Sequence, residues 1–188
     1  SGIDTYHIVT TFPIKKVDDL KGRKIGTGGA AAHWITGTGA TTVSGNLTKY
    51  YNDIKNGVYE GAILYGGSVA PFKLQEVAPH YTEIGFGAMS ANALTVNLDR
   101  WQKLPKEVQN ALKAGAAAWE KAVVDVTLER LRKNRAKMIK GGGIVGTMPE
   151  SERAKWAAGM KNVAKKWAAD LEAKGVPGQM VLKAYMDG

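Results

Sequence analysis

The chain has 188 residues, a formal net charge of +9, 44% hydrophobic and 23% charged residues, and no cysteine. That composition is ordinary for a globular chain of one large domain, and it excludes disulfides, thiol chemistry and finger-type zinc sites. No apolar run is long enough for a membrane-spanning helix.

In chain order, Ser1-Gly2 reads as a cloning remnant or a cut site, with no targeting segment ahead of it, and Tyr6 to Thr11 is β-branched and apolar, hence a strand. A polar loop, Val17 to Gly22, feeds a second strand over Arg23 to Gly26. The glycine-rich turn Gly26 to Gly29 then opens a helix from about Ala30, interrupted by Gly37 and Gly39. Thr41 to Val43 is a short strand, and Leu47 to Asn56 has helical spacing with Asn46 as its cap. Ala62 to Tyr65 is a buried strand. Ser68 to Ala78 reads as a helix with Pro71 in its first turn, and Ile84 to Phe86 and Ala93 to Asn97 read as strands. This alternation predicts an α/β fold with a mixed sheet.

The second half is helical. Pro105 opens a long helix that runs to Lys140 and stops at three glycines, 141 to 143. Ile144 to Thr147 is a brief strand. Another helix starts at Pro149-Glu150, its acids suiting the positive helix end, and Trp156, Met160, Val163, Trp167 and Leu171 line one apolar face. Gly175 and Pro177 end it, and Met180 to Tyr185 is a last short helix. Most of the positive charge is dispersed along these helices, densest in ERLRKNRAKMIK at a helix C-terminal half. Cations there complement the helix dipole and form a solvated face, so no nucleic-acid partner is expected.

No catalytic set is evident. His7, His33 and His80 are far apart in the chain, no serine sits in GxSxG, and Asp18, Asp19, Glu76 and Glu83 show no pairing signal. No metal site and no cofactor is expected. Residues 26–31, GTGGAA, formally match the dinucleotide-loop pattern GxGxxA between a strand and a helix. The following strand, Thr41 to Val43, leads into Ser44-Gly45 with no acidic residue to hold a ribose, which weakens the match. A Rossmann-type nucleotide-binding enzyme stays as the alternative. Among the aromatics and methionines, Trp34, Tyr50, Tyr51, Tyr65, Phe86 and Met89 are candidates for a ligand wall, although core packing accounts for most such residues. Tyr65, Phe86 and Met89 rank first, because they fall at strand ends and turns, where crevices in α/β folds lie.

The ordered segments PIKKVDDLKGRKI, GATTV, KYYNDIKNGVYEG, FKLQEVAPHYTE and VNLDRWQKLPKEVQNAL cover residues 13 to 120, and WAADLEAKGVPGQMVLKAYM extends the series to the C-terminal helices. Together they resemble the substrate-binding proteins of tripartite ATP-independent periplasmic (TRAP) transporters. The resemblance implies a periplasmic-binding-protein type II-like half with a mixed sheet, residues 1–104 forming the second lobe. It likewise implies that residues 105–188 form a long connecting helix and a helical segment that normally packs on the first lobe. Most of that first domain precedes PIKKVDDLKG in the family, so the chain reads as a truncated form.

By the same resemblance the chain is a non-enzymatic, periplasmic solute-binding subunit that delivers a small organic molecule to integral membrane permease subunits. Many members carry KIRVP, whose arginine grips a ligand carboxylate; here that position is Gly26, and a family asparagine falls near Leu64. Small, apolar and aromatic groups thus replace polar clamps. The expected ligand is an aromatic or apolar organic acid rather than a dicarboxylate, since a buried charge without a partner is costly. The expected ligand-binding residues are Gly26, Thr27, Gly28, Trp34, Leu64, Tyr65, Phe86 and Met89. The uncovered helical stripe adds the expectation of a homodimer through the exposed helical face.

Overall fold

The computed structural model describes residues 4–88, 93–160 and 162–187. Among the described residues six strands form one sheet: β1 (Tyr6–Thr10), β2 (Lys24–Thr27), β3 (Thr41–Ser44), β4 (Gly61–Tyr65), β5 (His80–Glu83) and β6 (Ile144–Thr147), in the order β3-β2-β4-β1-β5-β6. β2 runs parallel to β3 and β4, and β5 runs parallel to β6, whereas β1 is antiparallel to both of its neighbours, β4 and β5. Five strands therefore point one way around a single reversed strand, the mixed α/β sheet expected from the sequence.

Alternation along the strands divides the core into two layers. Val9, Ala62, Leu64 and Tyr81 pack on one face with Tyr50, Tyr59, Leu74 and Met138. Ile8, Ile25 and Ile63 pack on the other with Ile35, Ile84, Met148 and Trp156. Because both faces are covered, β4 is an unbroken small and apolar run, GAILY, buried over its first four residues. The edge strand β3 is the opposite case, Thr-Thr-Val-Ser with three exposed residues, which blunts an open edge.

The helices are α1 (Tyr50–Lys55), α2 (Leu98–Lys103), α3 (Lys106–Lys140), α4 (Glu150–Gly159), α5 (Val163–Glu172) and α6 (Gly178–Asp187). α3 has 35 residues, so it is roughly 52 Å long at 1.5 Å per residue. Only Thr127 and Met138 on it are buried. Its C-terminal half is tied to the sheet through Met138 in the first core layer and through Asn134, whose Nδ2 donates to Gly67 O at 2.7 Å. β6 follows α3 and pairs with β5, so the second half of the chain completes the sheet of the first.

Several local expectations differ from the structure. The segment from Ala30 is a 3-10 helix, Gly29–Ile35, not an α-helix. Ser68 to Ala78 holds two short 3-10 turns, Gly66–Ser68 and Leu74–Glu76, because Lys73 adopts φ 54°, which breaks any continuous helix. The strand near residue 84 lies earlier, at His80–Glu83. Gly85 turns at φ 75°, and the amides of Ile84 and Gly85 donate to His7 Nδ1 at 3.1 and 3.2 Å instead of to the β1 backbone. Residues 93–97 form no strand; Asn97 instead caps α2, its side chain accepting from Arg100 N at 3.1 Å. The helix after Pro149 is two helices, since Met160 is extended (φ −72°, ψ 132°) and Asn162 caps α5 anew. The apolar stripe explains the break. Trp156 and Met160 pack on the sheet, while α5 is held against α6 where Gly178 meets Ala168 and Leu171.

Candidate functional site

The carboxyl ends of β2, β3, β4, β5 and β6 share one edge of the sheet with the amino end of β1. In open α/β sheets a ligand crevice forms at this edge, because loops leave the strands there and diverge. At the centre, Tyr6 pairs with Tyr65 across β1 and β4, and their rings meet edge-on at 5.9 Å. Trp34, delivered by the 3-10 turn after β2, lies 5.2 Å from Tyr6 and stacks on Phe86 at 5.1 Å with 8° between planes. Phe86 is held in place by backbone, its N–H donating to Tyr6 O and the Tyr6 N–H to Gly87 O. Trp156 closes the row, 5.2 Å from Phe86, with its Nε1 donating to Trp34 O at 2.6 Å. The result is a continuous aromatic row: Tyr65, Tyr6, Trp34, Phe86 and Trp156.

Beside Tyr6 and Tyr65 opens a pocket of about 260 Å³, walled also by Gly28, Ala31, Asn46, Leu47, Tyr50, Ile63 and Leu64. Among the described residues, no Lys, Arg, Asp or Glu lines it. Its polar groups are the Asn46 amide, tyrosine hydroxyls and peptide groups. Burial pushes the Tyr50 hydroxyl up to about 12, so it stays a neutral donor, directed at Ile63 O at 3.4 Å. A second, larger apolar hollow of about 610 Å³ lies across the same 3-10 turn, between Ala30 and His33 on one side and Trp167 and Tyr185 of α5 and α6 on the other.

The structure brings together Gly28, Trp34, Leu64, Tyr65 and Phe86 among the expected site residues, with Leu64 forming a buried floor. Gly26 and Thr27 are not part of this wall. Thr27 is 3% exposed, and Gly26 lies in β2 facing the first core layer, where a β-carbon would come within 2.6 Å of the Tyr59 ring. Tyr59 is in turn fixed by its hydroxyl, which donates to Asp53 Oδ2 at 2.8 Å. The glycine is therefore explained by close packing in the core. Met89 lies outside the described residues. Tyr6, Asn46 and Trp156 escaped the sequence reading. Tyr6 is legible only from its pairing with Tyr65, the sequence marks Asn46 only as a helix cap, and it marks Trp156 only as one position of an apolar stripe.

The glycine-rich turn enters a seven-residue 3-10 helix. A dinucleotide loop instead presents its pyrophosphate to the amides of an α-helix, so the turn does not have the geometry of the alternative reading.

A family model described as bacterial extracellular solute-binding protein, family 7, matches residues 3–170. The chain belongs to this family. Its fold is that of TRAP solute-binding proteins. The ectoine-binding protein TeaA of the TeaABC TRAP transporter, in its apo state, superposes with a TM-score of 0.81 at 18% identity over 100% of this chain and 62% of that one. A TRAP solute-binding protein from Desulfovibrio salexigens with bound orotic acid gives 0.81 at 20% identity over 99% and 60%. One from Bordetella bronchiseptica with bound (R)- and (S)-mandelate gives 0.73 at 21% identity over 97% and 59%. The family 7 chain thus spans about 60% of the length of these structures.

Proposed function

We propose that this family 7 chain is the ligand-capturing lobe of a TRAP-type solute-binding protein. It takes a small organic acid with an aromatic or apolar body in the periplasm and hands it to membrane permease subunits, without catalysis. In this reading residues 1–104, completed by β6 and α4, form the second lobe, and α3 with the last helices of residues 105–188 forms the connecting helix and the helical segment against the first lobe.

The observation that carries the ligand class is the aromatic row flanking a pocket that no charged side chain lines among the described residues. One carboxylate can be met by peptide N–H groups and the Asn46 amide, whereas a second would be desolvated with no cation to meet it, which costs several kcal/mol (roughly 2–7 for an unpaired polar group, more for a charge). An aromatic ring laid on Tyr65 or Trp34 gains roughly 1.5–3 kcal/mol from burial. Where many members place an arginine, this chain has Gly26, and the Tyr59 ring fills the space its side chain would enter. Mandelate and orotate, bound by two of the similar structures, have this ring-plus-one-acid form.

Tryptophan fluorescence tests the proposal, since Trp34 lies in the row. Mandelate is expected to change the emission saturably, and Trp34→Phe or Tyr65→Ala to weaken the effect about tenfold, whereas succinate and malate leave it unchanged. Tighter binding of succinate than of mandelate would overturn the proposed ligand class.

A further inference from the structure

Adjacent residues of β1 face opposite sides of the sheet. Tyr6 joins the aromatic row, while His7 lies on the other side, where Tyr81 and the C-terminal half of α3 enclose a separate pocket of about 260 Å³. The His7 ring is oriented by two backbone donors, Ile84 N at 3.1 Å and Gly85 N at 3.2 Å, both onto Nδ1. A neutral imidazole that accepts at Nδ1 carries its proton on Nε2. Tyr81 is set edge-on to this ring at 5.4 Å. Its hydroxyl presses so closely on Gly66 that any side chain there would collide with it, and His7 Cδ2 borders the same point at 3.5 Å. Neither the Nε2–H nor the Tyr81 hydroxyl has a hydrogen-bond partner among the described residues.

The charged groups of the pocket are differently engaged. Asp4 Oδ2 accepts from Gly67 N at 2.7 Å, and Glu83 Oε1 accepts from Arg135 Nε at 3.1 Å. Arg132, which lines the same space, makes no ion pair among the described residues. Three donors without a partner among the described residues, an imidazole N–H, a phenol hydroxyl and a guanidinium, therefore border one small space.

We propose that this pocket binds a small monocarboxylate of about the size of acetate, held by the Arg132 guanidinium with the His7 Nε2–H and the Tyr81 hydroxyl as further donors. Guanidinium and carboxylate match as a two-pronged pair. Arg135 is engaged by Glu83, so Arg132 is the cation left to answer one ligand carboxylate, and Asp4 on the same wall disfavours any further negative charge. The pocket's volume equals that of the one beside Tyr6 and Tyr65, so the donors and not the size set the preference for a small monocarboxylate. The proposal is independent of the aromatic row, which lies on the opposite face.

The experiment is a ¹H–¹⁵N titration of the full chain with sodium acetate against sodium chloride at equal ionic strength. Acetate is expected to shift the amides of Gly66, Gly67, Ile84 and Gly85 saturably, and chloride is not. Arg132→Gln, on an exposed helix face, and Tyr81→Phe, which keeps the ring, are each expected to weaken acetate roughly tenfold, while Trp34→Phe keeps the response. The proposal is overturned if the shifts do not saturate or persist unchanged in both pocket variants. It is equally overturned if they vanish in Trp34→Phe but survive in Arg132→Gln, which would place acetate in the aromatic row.

Discussion

At the scale of single residues, two positions carry direct tests. Gly26 stands against the Tyr59 ring, so Gly26→Arg does not install a ligand clamp in the pocket; it overpacks the core. Such overpacking costs roughly 1–3 kcal/mol or more, a fall of about 2–4 °C in melting temperature per kcal/mol for a chain of this size. Calorimetry of Gly26→Arg should show this loss, together with no gain in dicarboxylate binding. His7 is the second. Burial lowers its pKa below the ordinary 6.5, against a smaller opposing pull from Glu83. Protonation would put a proton on Nδ1, where two backbone N–H groups already point. The unfolded chain therefore binds the proton more readily than the folded one, and stability rises with pH in that interval. The His7 contribution is fully present above 6.5 and is lost as pH falls below it. Urea midpoints at pH 7.5 and 5.5 should differ, and His7→Gln should narrow the difference.

At the scale of elements, Trp156 is the buried anchor of α4. Trp156 is 2% exposed, packs edge-on to Phe86 and donates to the Trp34 carbonyl. The Val17 N–H donates to Glu152 at 2.7 Å and Lys155 pairs with Asp18 at 2.9 Å, so α4 is also fastened to the 3-10 turn Val17–Leu20. The Lys155–Asp18 pair is exposed and contributes little. Trp156→Phe should leave the Trp34 carbonyl without its partner and cost about 1–3 kcal/mol, readable as a lower urea midpoint. Lys155→Ala should change the midpoint by well under 1 kcal/mol. Because Trp34 belongs to the aromatic row, Trp156→Phe should also weaken mandelate, whereas Lys155→Ala should not.

At the scale of the whole molecule, the long helix α3 stands largely uncovered. Trp119, Val124, Val126 and Leu128 are exposed, as is Trp167 on α5, although Trp156 from the same predicted stripe is buried. Exposed apolar surface of this kind favours association. Light scattering should show an apparent mass that rises with protein concentration, and Val126→Glu with Leu128→Glu should return it to the monomer. Ionic strength should alter ligand binding only a few fold, because the net charge of +9 is spread along solvated helices and is screened within about 8–10 Å.

Local sequence signals determined the α/β class, five of the six strands and the long helix after Pro105, and the ordered segments from PIKKVDDLKGRKI onward carried the family likeness. Strand alternation and caps are local signals, written in consecutive residues such as GAILY or Pro105 with its glycine stop at 141–143. Part of the aromatic row is legible: strand-end and turn positions single out Tyr65 and Phe86, Trp34 is a candidate only as an aromatic, and the three share one row. What only the tertiary structure decided depends on residues distant in the chain. Gly26 became a core contact because Tyr59, thirty-three positions on, fills its side-chain space. β5 ended at Glu83 because the His7 imidazole takes the next two amides, and the apolar stripe after Pro149 broke because its two halves pack on different partners. Each of these outcomes is set by which atom competes for a given volume or hydrogen bond, and that competition exists only once the strands are paired.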